Sequence, residues 1–132
     1  MSEENVEIVR RVYELYNARE FDDLLTLLAA DFVFVMLPTV PGASTYEGPE
    51  GFMQFVSDTE QPFGTLRYEI EASRAVDNNV VVATTATGRG VRSEVNTELR
   101  FASVWTLCDG RATRHEGFLA YEEALEAAGL SE

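Results

Sequence analysis

The sequence of 132 residues predicts one α+β domain, in which a curved antiparallel or mixed β-sheet wraps around N-terminal helices and leaves a cone-shaped pocket. Two observations lead to this fold class. Apolar residues recur at helical spacing in the first half of the chain and in a short tail, whereas after Gly64 they alternate with a period of two. Helices and strands segregated in this way are typical of α+β domains. Residues 1–132 show no internal repeat and no linker, so we expect a single domain.

The helices are predicted from their apolar faces and end signals. Spacings of three and four favour a first helix from Glu4 to Ala18, and a leucine-rich segment from Phe21 to Ala29 favours a second. A third helix opens at Gly48-Pro49-Glu50, because proline is tolerated in a first helical turn. A closing helix that begins near Glu122 ends at Gly129.

The strands are predicted from alternation and from the turns between them. Asp77-Asn78-Asn79 and Asp109-Gly110 are typical hairpin turns, since these residue types tolerate the left-handed backbone region. We expect a loop from Pro38 to Tyr46, where two prolines and a glycine fall together. The predicted strands run from Asp31 to Leu37, onward from Leu66, from Val80 to Arg89, from Glu94 to Leu107 and from Arg111 to Tyr121.

The composition excludes several kinds of chemistry. All 10 basic residues are arginine, so Schiff-base catalysis and a Walker-type phosphate lysine are impossible. The single cysteine, Cys108, rules out an internal disulfide and a thiolate zinc site, and the single histidine, His115, rules out a three-histidine metal centre. We expect no cofactor and no metal.

The net charge of −13, from 23 acidic residues, opposes binding to nucleic acids and to anionic membranes, which both require clustered cations. No apolar run reaches the roughly 18 residues that span a bilayer. The start of the chain, Met1-Ser2-Glu3-Glu4, lacks the positive charge of a signal peptide. We therefore expect a cytoplasmic protein with no nucleic-acid and no membrane partner.

Several segments carry a family resemblance that covers nearly the whole chain. They are Val9–Asn17 with Phe21–Leu25, the turn Tyr46–Phe52, the hairpin Val104–Arg111 and the tail Tyr121–Leu130. Together they resemble SnoaL-like proteins of the nuclear-transport-factor-2-like superfamily, whose cystatin-like α+β cone the resemblance implies for this chain. The same cone hosts isomerases, cyclases, dehydratases, epoxide hydrolases and non-catalytic adaptors, so the resemblance leaves the activity open.

The catalytic carboxylates of the relatives are missing at the matching positions. Where ketosteroid isomerases of the superfamily carry an aspartate base, this chain has Leu37, and their oxyanion-hole positions fall near Val12 and at Ser103. An acid that many relatives carry before the closing helix is replaced by Ala120. Two functions remain. One is binding of a small apolar or polycyclic molecule, with cofactor-free isomerase, cyclase or dehydratase chemistry; the alternative is a non-catalytic dimeric binding or scaffold module.

His115 is the candidate catalytic residue, because it alone has an ordinary pKa near neutrality and lies in the middle of a predicted strand. Inside the cone it would be a general base or a polar anchor for a ligand. It could equally bond a neighbouring hydroxyl and do no chemistry. The opposite register, which a β-bulge can produce, would place Arg114 and Glu116 inside instead.

The remaining pocket residues are predicted from strand alternation and, for Tyr16 and Phe55, from helix faces. Plain core packing is the alternative for Phe101, and hydrogen bonding of the hydroxyl to internal backbone is the alternative for Tyr16 and Tyr68. We expect Val35 and Leu37 to face the cone, and Phe34 and Met36 to face outward. With Ala102 and Val104 on the same convex face, outward apolar residues predict a homodimer through the sheets, and cover by the loop from Pro38 to Tyr46 is the alternative. The predicted ligand pocket comprises Tyr16, Val35, Leu37, Phe55, Tyr68, Phe101, Ser103, Trp105 and Leu119.

Overall fold

A computed structural model describes residues 2–36, 45–89 and 96–129. Its helices are α1 (Ser2–Asn17), α2 (Phe21–Leu25), α3 (Gly48–Phe63) and α4 (Tyr121–Ala127). Its strands are β1 (Leu28–Val35), β2 (Thr45–Glu47), β3 (Leu66–Val76), β4 (Asn79–Arg89), β5 (Asn96–Cys108) and β6 (Arg111–Phe118). The predicted fold class is confirmed: helices precede a set of long strands that form one sheet.

The six strands lie in the order β2-β1-β6-β5-β4-β3. All neighbours are antiparallel except β1 and β6, which run parallel. Helix α1 packs on β3 and α3 packs on β1, so the main core lies between the helices and the inner face of the sheet. Turns at Asp77 (φ 55°) and at Asp109 and Gly110 (φ 53° and 82°) join the long strands.

The first elements differ from the prediction in their ends. Helix α2 stops at Leu25, and Leu28 already belongs to β1. A segment rich in leucine satisfies both a buried helix and a buried strand, so apolar content does not locate this boundary. Tyr46, expected in a loop, lies in the short strand β2 against Phe34.

The predicted orientation of β1 is wrong. Phe32 and Phe34 are buried in the main core and Met36 packs against it, whereas Val33 and Val35 are only half-buried. Both sets of alternate residues are apolar, so alternation cannot choose between them. The aromatic rings fill the wide interior that valine would leave empty. The predicted pocket residue Leu37 lies outside the described residues.

The outer face of the sheet is covered in part by α4. Ala124 and Ala128 pack there on Val81, Ala102 and Val104 in a second apolar cluster. Much of the outward apolar surface that suggested a sheet-to-sheet dimer is therefore buried within one chain, and Phe34 is not part of that surface. The homodimer stays a prediction. Among the described residues, no helix is long and apolar enough to cross a membrane.

We predict that Phe32→Ala lowers the free energy of unfolding by about 3–5 kcal/mol, because the fully buried ring leaves a cavity. Urea denaturation followed by tryptophan fluorescence measures the change. The control is Leu119→Ala, since Leu119 is 52% exposed and should cost less than about 0.5 kcal/mol. Equal losses in the two variants would contradict the described core.

Candidate functional site

His115 lies in the main core, between the helices and the sheet, and is enclosed by aromatic rings. The residue is 4% exposed, and its imidazole stacks on Phe34, with ring centroids 4.0 Å apart and planes 11° apart. Trp105 meets it edge-on at 4.7 Å. Of the two registers that the sequence left open, the structure has the one with His115 inside, while Arg114 and Glu116 form an exposed ion pair at 3.2 Å.

This enclosure keeps His115 uncharged. Burial lowers the pKa of His115 to about 3, and the positive charge of Arg114 acts in the same direction. The backbone carbonyls of His115 and Val35 oppose the shift without overcoming it. At neutral pH the ring is therefore a neutral hydrogen-bonding group, with one nitrogen that donates and one that accepts.

The imidazole belongs to a cluster of polar side chains from α1, β4, β5 and β6. His115 Nε2 lies 2.9 Å from Ser103 Oγ, and Trp105 Nε1 donates to the hydroxyl of Tyr13 at 3.0 Å. Burial raises the pKa of Tyr13, while the nearby polar groups of Trp105, Thr84 and Ser103 act in the opposite direction. We call Tyr13, Thr84, Ser103, Trp105 and His115 the polar core.

Two atoms of the polar core have no hydrogen-bond partner in the described part of the chain. They are Thr84 Oγ1 and His115 Nδ1, and both are fully buried. Sequence reasoning had named neither Tyr13 nor Thr84 as a site residue. Thr84 was visible as the hydroxyl-bearing member of an otherwise apolar alternate series on β4, Val80, Val82, Thr84 and Ala86. The role of Tyr13 depends on packing against Trp105, 92 residues away, and left no such signal.

The ring of Tyr16 packs in the interior, while its hydroxyl points to Glu60. The hydroxyl donates to Glu60 at 2.6 Å, and Arg19 donates twice to the same carboxylate at 2.8 Å. The amide of Leu66 is a further donor at 3.1 Å. Burial alone would raise the pKa of Glu60, but these hydrogen bonds and the charge of Arg19 together hold it below 4.5.

Three other predicted pocket residues pack in the interior, and one lies at the surface. Phe55 and Tyr68 are both buried. The ring centroid of Phe55 lies 4.2 Å from that of Phe34, and the ring centroid of Tyr68 lies 4.8 Å from that of Tyr16. Phe101 is half-buried and packs against the main core. Leu119, which was predicted to line the pocket, is 52% exposed, because β6 ends at Phe118 and the chain turns toward α4.

The polar core contains no charged group. The buried polar or charged residues of the described ranges are Asn5, Thr84, Thr85, Ser103 and His115. No group of three or more His, Cys, Asp or Glu side chains in those ranges is arranged to hold a metal ion. A groove of about 460 Å³ lies on the surface between α1 and the hairpin turns, with Asn5, Ile8 and Leu107 in its lining, and His115 does not contribute to it.

The chain matches a known protein family, and its structure resembles several solved structures. A family model described as SnoaL-like domain matches residues 9–115. The structure resembles Bal32a from a soil-derived mobile gene cassette, with a TM-score of 0.79, 17% identity and 96% of each chain covered. It resembles TerC co-crystallised with polyporic acid, with a TM-score of 0.77, 23% identity and coverage of 93% of this chain and 98% of that one.

An NTF2-like protein from Burkholderia pseudomallei K96243 is similar as well, with a TM-score of 0.76, 22% identity and coverage of 96% of this chain and 98% of that one. No curated protein matches the chain in sequence. At these identities the structural similarities establish the fold alone. What the interior can do must be argued from its own residues.

The contacts of Glu60 predict that Glu60→Gln lowers the free energy of unfolding by roughly 1–3 kcal/mol, because charged hydrogen bonds to Arg19 and Tyr16 are lost. Since the pKa of Glu60 is below 4.5 in the folded state, its stabilisation is complete above that pH and is lost as the pH falls through the folded value. Urea denaturation at several pH values from neutral to below 4.5 measures the difference.

The control is Glu14→Gln, because Glu14 forms a surface ion pair with Arg11 at 3.7 Å that should contribute little. The two variants should differ at neutral pH and converge in acid. A Glu60 effect as small as that of Glu14 at neutral pH would show that the carboxylate does not join these elements.

Proposed function

The chain belongs to the SnoaL-like domain family, and from that membership and its own interior we propose that it binds a small, uncharged, largely apolar molecule inside the cone. The ligand would lie among the aromatic rings, next to the polar core. Its entry requires movement of side chains, because Phe34 stacks on the His115 ring and Trp105 packs edge-on against it.

The unpartnered atoms Thr84 Oγ1 and His115 Nδ1 carry the proposal. Buried polar groups in proteins nearly always have a hydrogen-bond partner, and a missing partner costs about 1–3 kcal/mol. Two such atoms in one small cluster, with no partner among the described residues, support a role in recognition. A ligand oxygen could supply the hydrogen bond that the chain leaves unmade.

The surroundings of these atoms indicate the chemistry of the ligand. The walls are aromatic, and the polar core holds neutral groups, so a charged ligand would lose its hydration without gaining an opposite charge. An apolar body with a few hydrogen-bonding atoms fits both features. The structural relative TerC was crystallised with polyporic acid, which supports small-molecule binding in this fold.

Binding, rather than proton transfer, is the function that His115 supports. A general base works best when its pKa lies near the working pH, and the pKa of His115 is lowered to about 3. Isomerisation, cyclisation or dehydration through His115 would therefore require an environment more polar than this one. We propose that the ring orients a ligand as a neutral group.

A second candidate function is a non-catalytic dimeric scaffold. The observation in its favour is the close packing of Phe34, Phe55 and Trp105 around His115, which fills the interior with the protein's own side chains. In this case the cone would contribute to folding, and the outer surface would carry the function. Ligand binding and oligomeric state separate the two candidates.

The binding proposal predicts that some uncharged aromatic or polycyclic compounds raise the melting temperature. A ligand at 100 times its dissociation constant adds about 2.7 kcal/mol to the stability of the folded state. The test is a thermal-shift screen of uncharged compounds and their carboxylate analogues, repeated on Ser103→Ala, which removes the bond to His115, and on Leu119→Ala at the exposed position.

Stabilisation by uncharged members alone, weakened in Ser103→Ala and kept in Leu119→Ala, is the expected result. If no compound stabilises the wild type, the scaffold function is favoured instead. If carboxylates bind best, the assignment of an uncharged ligand is wrong.

The predicted homodimer is tested by light scattering at micromolar concentration. We expect a particle of twice the 14.7 kDa chain mass. Because α4 covers Val81, Ala102 and Val104, the dimer would have to use other parts of the outer face. A particle of one chain mass at every concentration would exclude both the dimer and the dimeric scaffold.

A further inference from the structure

We propose that the surface groove between α1 and the two hairpin turns is a second binding site, which takes a small organic cation such as a primary amine. The volume of the groove, about 460 Å³, is in the range of small-molecule sites. Its lining contains no member of the polar core. Binding there goes beyond the proposed function and is independent of binding in the cone.

Hydrogen bonds between the two hairpins fix one wall of the groove. The pairing of β4 with β5 places Asn79 opposite Thr106, and the side chains of these residues are joined by a hydrogen bond of 2.8 Å. The amide of Leu107 donates to the carbonyl of Asn78 at 2.9 Å. A wall held in this way is formed before a ligand arrives, which lowers the entropy cost of binding.

Asn5 is the residue that points to a ligand. It lines the groove and is 9% exposed, and its side-chain amide takes part in none of the hydrogen bonds between described residues. Val9 and Val12, which follow it on the same face of α1, are buried in the main core. An amide in this row loses hydration without gaining a partner, so stability alone would favour an apolar residue. A hydrogen bond to a ligand gives a physical reason for an asparagine here.

The charges around the groove favour a cation. Glu4 and Asp109 line it, and no basic residue does. Asp109 takes part in none of the ion pairs between described residues. The positive end of α1 lies beside the groove, but it amounts to only about half an elementary charge, and the first turn also holds the carboxylates of Glu3 and Glu4. A positive ligand is therefore favoured over an anion.

Apolar contact is available in the same groove. Ile8 and Leu107 line it, and both belong to the main core or pack against it. A primary ammonium group would donate to the Asp109 carboxylate and to the amide oxygen of Asn5, while an attached ring or chain would cover Ile8 and Leu107. The ligand class is thus an amine with an apolar body.

Cys108 gives a direct readout of this site. It is the only cysteine of the chain, it is exposed, and it lines the groove. Methyl methanethiosulfonate is neutral and specific for thiols, and mass spectrometry of the full chain follows its reaction with Cys108. A ligand in the groove covers the thiol and slows the reaction, so the half-protecting concentration measures binding.

The first test compares three probes of similar shape: phenethylamine, 2-phenylethanol and 3-phenylpropionate. At neutral pH they carry a positive charge, no charge and a negative charge. Phenethylamine should protect Cys108 at a concentration about fivefold lower than the alcohol, and the carboxylate should protect least. Protection by the amine no better than by either other probe would overturn the assignment of a cation. Absence of protection by all three would overturn the site and leave the proposed function of the cone standing.

A further probe separates a free amine from a lysine side chain of another protein, which presents the same ammonium group. Nα-acetyl-lysine methylamide should protect Cys108 less well than phenethylamine, because it has no ring to cover Ile8 and Leu107. Better protection by the lysine derivative would assign the groove to a protein partner and overturn the small-molecule site.

The second test repeats the phenethylamine measurement on variants. Asp109→Asn removes the charge and keeps the turn, because asparagine also tolerates the φ of 53° at this position, and Asn5→Leu removes the amide. Each should raise the half-protecting concentration about fivefold. Glu14→Gln is the matched control, since it removes a negative charge from α1 outside the groove and should change nothing. Equal effects of Asp109→Asn and Glu14→Gln would show a response to net charge alone and overturn the site.

The third test asks by thermal denaturation without ligand whether Asn5 has a partner in the free protein. Asn5→Leu should raise the melting temperature, because leucine extends the apolar row and removes the unmade hydrogen bond. The matched control is Asn17→Leu on the same helix, where the amide bonds the main chain of Tyr68 at 2.8 and 2.9 Å, and it should lower the melting temperature. A lowered melting temperature in Asn5→Leu would mean that Asn5 has a structural partner, and its role in the groove would be wrong.

Discussion

The parallel pairing of β1 with β6 is the constraint on which the interior of this protein depends. It places Phe34 opposite His115, so that the two rings stack at 4.0 Å and Trp105 meets the imidazole edge-on. The same pairing places Val35 opposite Glu116, the residue after His115. Enclosed in this way, the only histidine of the chain loses its ordinary acid–base character and becomes a neutral hydrogen-bonding group.

The charged side chains of Glu60 and Arg19 lie at the edge of the same core, where a different set of contacts holds them. Glu60, at the end of α3, accepts hydrogen bonds from Tyr16, Arg19 and the amide of Leu66, and so connects α1 and its following turn with the start of β3. Because the hydroxyl of Tyr16 is used there, the ring of Tyr16 faces the interior without a polar atom to offer. The polar core itself holds only neutral groups, since burial lowers the pKa of His115, and this is the basis for proposing an uncharged ligand.

The sequence predicted the general architecture because helical and strand periods are local properties. The α+β class, the helix on Val9, Val12 and Tyr16, and the family assignment are confirmed. The orientation of β1 could not be predicted, since Phe32 and Phe34 alternate with Val33 and Val35 and both sets are apolar. Only the size of the interior, set by distant elements, decides that the larger rings enter it.

The candidate site was predictable in part for the same reason. Histidine is chemically distinctive, so His115 could be singled out, and its neighbour Ser103 followed from alternation on β5. Tyr13 could not be assigned, because its importance lies in a contact between α1 and β5. Thr84 is distinguishable as a hydroxyl in an apolar alternate series, but the sequence does not show that its hydrogen bond is left unmade. The resemblance to SnoaL-like proteins identified the fold and carried no information about either residue.

The state of His115 tests this account most directly. Proton NMR of its imidazole, followed from pH 9 to the onset of acid unfolding, measures whether the ring takes up a proton in the folded protein. The account predicts ring signals that stay constant over the whole range in which the protein remains folded, because burial lowers the pKa to about 3. A titration centred near the ordinary histidine value of about 6.5 would show an accessible, chargeable ring and would contradict the closed, neutral interior.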